Sequence, residues 1–379
     1  MRRTLFDADH DAFRDSVRAF LLKEAVPHSA DWESAGLVDR SFWSAAAAHG
    51  MVAFSAPEEF GGSGVRDFRF NAVINEEVVR TGTVGDGFSL TNDIVAPYYL
   101  DIATPEQQAR WLPGIVAGDT VVAIAMSEPG TGSDLRAIAT TAAREPGGWR
   151  LTGSKTFITS GIQADLVIVA ARIPDSDGGG FGLFVVAAGQ EGFTKGRKLD
   201  KIGRRAQDTA ELSFVDVFVP DSDVLGEPGR GLHYMMGNLA QERLSMAVVA
   251  VASAEHAVRT AIDYASERTA FGTPIGSFQA NRFRFAELST KTAIARTYVD
   301  RCIEATNAGE LTAAEAAGAK FWTTELEFEA LDACLQIHGG YGYMEEFDVA
   351  RRWRDARVQR IYGGTNEIMR EIVGRSLGL

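Results

Sequence analysis

The sequence predicts an α+β multidomain protein: a helical N-terminal domain (residues 1–120), an all-β middle domain (121–227) and a second helical domain (228–379). Three observations predict this. Apolar residues recur at helical spacing through the first segment. Short runs rich in Val, Ile, Phe and Thr, parted by glycine and proline, fill the middle. Long helical stretches then return. A chain of 379 residues suits two or three domains.

The opening "DADHDAFRDSVRAFLLKEAV" sets Phe13, Val17, Phe20 and Leu21 on one stripe, as a core-facing helix requires. "TPEQQARWLPGIVAGD" starts a helix with Thr104 as N-cap, Pro105 at the first helical position and Gln107 completing a capping box. In the middle segment "VVAIAMSE", "GWRLTGSKTFITSG", "ADLVIVAAR", "FGLFVVAA" and "AELSFVDVFVP" read as strands of a barrel or sandwich, and "PDSDGGG" as a hairpin or loop. Helical stretches follow at 230–270, 276–307, 311–338, 345–358 and 366–376, and their short links predict an antiparallel bundle. No G-x-G-x-x-G follows a strand, so a doubly wound nucleotide-binding sheet is not expected.

A net charge of −13 argues against nucleic acid or an anionic membrane surface as partner. The two cysteines, Cys302 and Cys334, lack the spacing of a disulfide framework or zinc site; reduced thiols in a cytoplasmic chain are expected. No apolar run reaches membrane-spanning length, and "MRRTLFDADHDAF" has no signal-peptide core.

Five segments in order, "IAMSEPGTGSD" (124–134), "KTFITSG" (155–161), "ERTAFGTPIGSFQ" (267–279), "LQIHGGYGYM" (335–344) and "RDARVQRIYGGTNEIMREIVGR" (354–375), resemble those of the acyl-CoA dehydrogenases. "GRKLDKIGRRAQDTAEL", "AQERL" and "IYGGTNEIM" are most similar to the long-chain subgroup. The resemblance implies a helical N-terminal domain, a central β-barrel and a C-terminal four-helix bundle assembled as a homotetramer. It also implies non-covalent FAD, an acyl-CoA thioester as substrate and electron transfer flavoprotein as acceptor.

Carried over residue by residue, the resemblance implies flavin or substrate contacts at Met126, Ser127, Gly132 and Ser133, in a loop whose small residues allow close backbone approach. Phe157, Ile158 and Thr159 would lie against the flavin ring; many relatives carry Trp where Phe157 stands. Arg268 and Gln279 would reach the FAD of a neighbouring subunit, and Gln336, Gly339 and Gly340 the adenosine half. Thr365, Asn366 and Glu367 would touch the flavin, and Gln241, Arg243, Gly363 and Gly364 the substrate. His338 reads as structural. The basic run Arg197, Lys198, Lys201, Arg204 and Arg205 reads either as a solvated loop or as an attractor of CoA phosphates.

The reaction needs a base for the α proton. Much of the family carries a glutamate where this chain has Gly363. Either the chain lacks a base or the base comes from elsewhere. Glu242 falls in the apolar seam Leu232, Met235, Leu239 and Met246, where a carboxylate is costly unless paired or functional. "QER" matches the segment where the long-chain and isovaleryl branches place their base. Glu242 as a surface carboxylate beside Arg243 is the competing reading. With Glu242 as base, Gly363 would supply a backbone N–H to the thioester carbonyl. An acyl-carrier-protein thioester, a flavin oxidase and a subunit without catalysis stand as alternatives. Chain length depends on a helix predicted at 86–101, and the subgroup favours medium to long or branched acyl chains.

Overall fold

The computed structural model describes residues 3–83, 87–174 and 179–379. Residues 175–178, where most of the predicted "PDSDGGG" hairpin falls, lie outside the described residues.

The N-terminal helices are α1 (Ala8–Glu24), α2 (Ser29–Ala35), α3 (Arg40–Ala48), α4 (Phe68–Thr81), α5 (Ala96–Asp101) and α6 (Pro105–Val116). α1 buries Val17, Phe20 and Leu21, with Phe13 packed at the rim of the same core. α6 starts at the predicted capping box: Thr104 accepts from the Gln107 N–H, and Gln107 returns a bond to the Thr104 N–H at 2.9 Å. The helix predicted over 86–101 departs from expectation. Asp86 lies outside the described residues, and Ser89–Val95 is a π-helical segment leading into α5. Such segments are rare and concentrate at functional sites.

The middle strands are β1 (Val122–Ala125), β2 (Thr141–Glu145), β3 (Gly148–Thr159), β4 (Leu166–Arg172), β5 (Phe181–Ala187), β6 (Phe193–Lys198), β7 (Thr209–Pro220) and β8 (Val224–Gly229). They form one sheet of order β6-β7-β3-β2-β4-β5-β8, with β1 parallel to β4. The expected barrel is corrected: the sheet is open, because β6 pairs only with β7 and β8 only with β5. Both edges resist further pairing. β6 reads FTKGRK, charged and half exposed, and β8 contains Pro228. β4 explains its continuous apolar run: Val167, Val169 and Ala171 face one core and Ile168 and Ala170 the core shared with the N-terminal helices.

The C-terminal domain comprises α7 (Gly231–Glu267), a small ladder β9 (Thr269–Ala270) and β10 (Thr273–Pro274), then α8 (Gln279–Asn307), α9 (Ala313–His338), α10 (Asp348–Ala356) and α11 (Asn366–Ser376). α9 packs against α7, α8, α10 and α11 around an Ala- and Val-rich core. Glu76 of α4 locks the two helical domains. Fully buried, it accepts from Arg14 and Arg296, each at 2.9 Å, and these guanidiniums hold its carboxyl down at about 2 despite the opposing effect of burial. No helix among the described residues is long and apolar enough to cross a membrane.

Candidate active site

A cavity of about 380 Å³ opens where the three domains meet. α7 forms one wall: Leu239, Glu242, Met246, Val249 and Ser253 line it at the three- and four-residue spacing of a helix face. Glu242 is therefore no surface carboxylate; it is 5% exposed. Burial pushes its pKa up to about 7, against the nearby Arg243, the bond from Asn238 and the adjacent Tyr98 hydroxyl, which favour ionisation. Asn238 donates to Glu242 Oε1 at 3.3 Å. The Tyr98 hydroxyl is buried beside Glu242, outside good hydrogen-bond geometry. Arg243 is buried as well, its Nε without a partner, and burial lowers its pKa.

The π-helical segment positions this stretch of α7. The Asp93 and Ile94 carbonyls accept from Gln241 and Asn238, both at 2.9 Å. The buried Asp93 carboxylate accepts from Asn71 at 2.5 Å, from Asn75 at 2.9 Å and from Ser245. Gln241, expected at the substrate, is instead committed to this backbone and does not line the cavity.

Opposite Glu242's helix stands the Gly363–Gly364 turn. Its φ angles, +63° and +92°, lie in the left-handed region that a side chain disfavours. Lys320, fully buried on α9, donates to the Gly364 carbonyl and to Asn366 Oδ1, each at 2.9 Å; burial lowers its pKa to about 8. Asn366 gives its amide to Thr324 and Glu325. Asn366, expected at the flavin, has its side chain buried and committed to α9. Thr365 caps α11 by accepting from the Ile368 N–H, and Glu367 points to solvent.

The β domain closes the cavity with Met126, Ser127, Gly132, Ser133, Phe157, Ile158 and Thr159. A Cβ at Gly132 would meet nothing, so the loop leaves open space there. Phe157 sits at a register shift between Lys155 and Ile158, at φ +59° and 70% exposed. A large exposed aromatic on strained backbone in a cavity wall marks a ligand surface. Behind the loop, buried Lys155 donates to Glu128 at 2.9 Å and to the Met126 carbonyl at 3.0 Å. The sequence reading missed this pair, although a lysine and a glutamate inside apolar strand patterns were its signal.

Besides Gln241, Thr365, Asn366 and Glu367, five further predicted residues stand apart from the cavity. Arg268, Gln279, Gln336, Gly339 and Gly340 are exposed, with the Arg268 guanidinium 5.9 Å from the Tyr341 ring centre. His338 is structural, bonded to the Cys334 carbonyl at 2.7 Å and stacked on Tyr264. The basic run is not a simple solvated loop. Lys198 and Lys201 bind backbone carbonyls, and Arg204 lines the cavity.

Residues 7–119, 123–217 and 229–378 match, in order, the N-terminal, middle and C-terminal domains of acyl-CoA dehydrogenase. The chain belongs to the acyl-CoA dehydrogenase family. It is 44% identical to the long-chain specific acyl-CoA dehydrogenase of Sus scrofa over 378 residues, 99% of this chain and 88% of that protein. It superposes on an acyl-CoA dehydrogenase from Geobacillus kaustophilus with a TM-score of 0.95 at 45% identity, covering 99% of each chain. An acyl-CoA dehydrogenase from Bacillus anthracis, solved in complex with FAD, matches with a TM-score of 0.88 at 29% identity, covering all of this chain and 69% of that one.

Proposed function

We propose that the chain is an FAD-dependent acyl-CoA dehydrogenase that oxidises the α,β bond of a medium- to long-chain or branched acyl-CoA to the trans-2-enoyl-CoA, with Glu242 as the base. The observation that carries this is a carboxyl, buried by α7, sharing one cavity with a glycine turn that has none. Its pKa near 7 suits a base at neutral pH: ionised often enough to act, basic enough to take a carbon-bound proton. Glu242 takes the α proton, and the carboxyl, shielded from water, keeps it.

The charge that develops on the thioester oxygen needs a donor. The Gly363–Gly364 turn brings backbone N–H groups to the cavity wall without a side chain, and Lys320 and Asn366 hold that turn from behind. A preorganised donor of this kind is typically worth ~3 kcal/mol of barrier. Arg243, buried at the same wall, adds positive potential where negative charge forms.

The residues present fit FAD. Phe157 offers an exposed ring, Gly132 an open backbone approach, and Ser127, Ser133 and Thr159 polar groups around them. When bound there, FAD supplies the hydride acceptor for the β carbon; the chain supplies geometry and electrostatics. We read Arg268, Gln279, Gln336, Gly339 and Gly340 as reaching the cofactor of a neighbouring subunit in a homotetramer. Their exposure supports this, as do exposed Phe271, Phe283 and Tyr343 on the same domain. Electron transfer flavoprotein as acceptor rests on family membership, and the cytoplasm as location on two unpaired, buried thiols.

Anaerobic titration of the FAD-loaded protein with a chain-length series of acyl-CoAs tests the reading. Bleaching of the flavin's visible band is expected, strongest for medium to long chains. No bleaching at any length, with FAD bound, would refute it; bleaching by acyl-carrier-protein thioesters alone, or oxygen uptake without an added acceptor, would favour a biosynthetic dehydrogenase or an oxidase.

A further inference from the structure

The cavity does not end where the chemistry ends. Its α7 wall runs from Leu239 past Glu242 to Ser253. At 1.5 Å per residue, the stretch beyond Glu242 is about 16 Å long. On α7, Met236 and Gly237 just before Leu239 are exposed, whereas Ser253 at the other end of the wall is buried. Between them Val78, Val79, Leu90, Met246 and Val249 give the lining an apolar stripe, and the polar Asn75 and Ser245 of the same stretch are already bonded to Asp93. An acyl chain that presents its α carbon to Glu242 and leaves its CoA end at the mouth runs inward along this wall.

The inner end is polar. Glu327, Gln359 and Thr83 line the same cavity, and all three are buried. Each has an atom without a hydrogen-bond partner: Glu327 Oε2, Gln359 Nε2 and Thr83 Oγ1. Buried polar atoms are almost always paired, so three orphans around one space call for an occupant. Gln359 Nε2 is a donor; Thr83 Oγ1 both donates and accepts. Glu327 is pushed up to about 8 by burial, so its carboxyl also has a donor form near neutral pH. The Ser253 hydroxyl, then Arg204 and Arg352, favour its ionised form, and Asp355 opposes them. With both signs of charge already present, a further full charge has no unopposed partner, whereas a neutral group that donates and accepts fits all three orphans.

We propose that this inner lobe is a recognition site for a hydroxyl group at the far end of the acyl chain, so that the preferred thioester is a terminally or subterminally hydroxylated acyl-CoA. This deepens the proposed function and rests on it.

The test compares anaerobic flavin reduction by unsubstituted acyl-CoAs with reduction by their terminal-hydroxyl counterparts of equal length. At the length that reaches the lobe, the hydroxylated substrate is expected to show roughly tenfold higher kcat/KM, the worth of one net hydrogen bond; at shorter lengths the ratio is near one. Thr83→Val, which preserves shape, and Glu327→Gln, which preserves size, are each expected to shrink the preference. FAD content and thermal unfolding show that both variants are folded. A ratio near one at every length would mean that water alone fills the lobe, and would overturn the proposal. So would a preference that both folded variants retain. Reduction by no acyl-CoA of either kind would instead refute the dehydrogenase reading itself.

Discussion

The Met246 thioether occupies the space that a side chain at Gly363 would need: a Cβ built there would lie 2.5 Å from its sulfur and closer still to its methyl carbon, well inside van der Waals contact distance. Met246 lies one helical turn after Glu242 on the same face of α7. The two positions are therefore coupled. The absence of a side chain at 363 makes room for the helix that carries the carboxylate, and Met246 fills that room.

Moving the carboxylate back to residue 363 should fail unless this coupling is respected. In a Glu242→Gln background, Gly363→Glu is expected to recover little flavin reduction. It should also lower stability by about 1–2 kcal/mol, because residue 363 sits at φ +63°. Adding Met246→Ala is expected to raise the recovered rate. If the double and triple variants reduce equally, Met246 is not the obstacle.

The reaction should follow the ionisation of Glu242. Its pKa is raised from 4.5 to about 7, so kcat/KM is expected to rise roughly tenfold per pH unit below 7 and level off above it. Stability runs the other way. The folded state holds this proton more tightly than the unfolded state. Glu242's contribution is therefore fully present below pH 4.5 and is lost as pH rises through 7. Glu242→Gln removes that loss, so its stability relative to the parent should improve between pH 4.5 and 8 by an amount on the order of 3 kcal/mol. Urea unfolding at both pH values checks this; an unchanged difference would mean that the buried carboxyl does not titrate as described.

Asn238 tunes that ionisation. Its amide bonds both Glu242 and the Ile94 carbonyl of the π-helical segment. Asn238→Ala removes a bond that favours the ionised form, so the acidic limb of the pH–rate profile should shift to higher pH. A profile that keeps its midpoint would leave Asn238 a purely structural role.

Lys320 secures the glycine turn. Lys320→Met leaves the Gly364 carbonyl and Asn366 Oδ1 without their donor and should cost ~1–3 kcal/mol in stability. It should also lower kcat more than it raises KM, because the turn's N–H groups act on the transition state. Thermal unfolding and single-turnover reduction separate the two effects. An unchanged kcat in a destabilised variant would confine Lys320 to stability.

Phe157 should matter to the cofactor and hardly to the fold. Since the ring is largely exposed, Phe157→Ala is expected to change stability by less than about 0.5 kcal/mol. It should weaken FAD binding by ~1 kcal/mol, as loss of an aromatic stack does. Fluorescence titration of the apoprotein with FAD measures it; unaltered affinity would place the flavin elsewhere.

Local chemistry made much of this legible in advance. The α1 stripe, the Thr104–Gln107 box and the ends of α11 are written in neighbouring residues, and so is the seam that buries Glu242. What stayed hidden depends on partners distant in sequence. Strand propensity does not say that β6 and β8 never meet, so the open sheet looked like a barrel. Nothing local distinguishes Asn366 bound to Lys320 from Asn366 facing a cofactor. The π-helical segment holds Asp93 in a buried site formed by Asn71, Asn75 and Ser245, a meeting of three segments. The polar inner lobe likewise joins the turn after α4, α7, α9 and the turn after α10.

The central claim is that Glu242 removes the α proton. The most direct measurement is the rate of anaerobic flavin reduction by a long-chain acyl-CoA in Glu242→Gln, with FAD content and acyl-CoA binding measured on the same preparation. Retained FAD, retained binding and a rate lower by several orders of magnitude are predicted. Reduction at the parent rate by the folded, FAD-loaded variant would contradict the account.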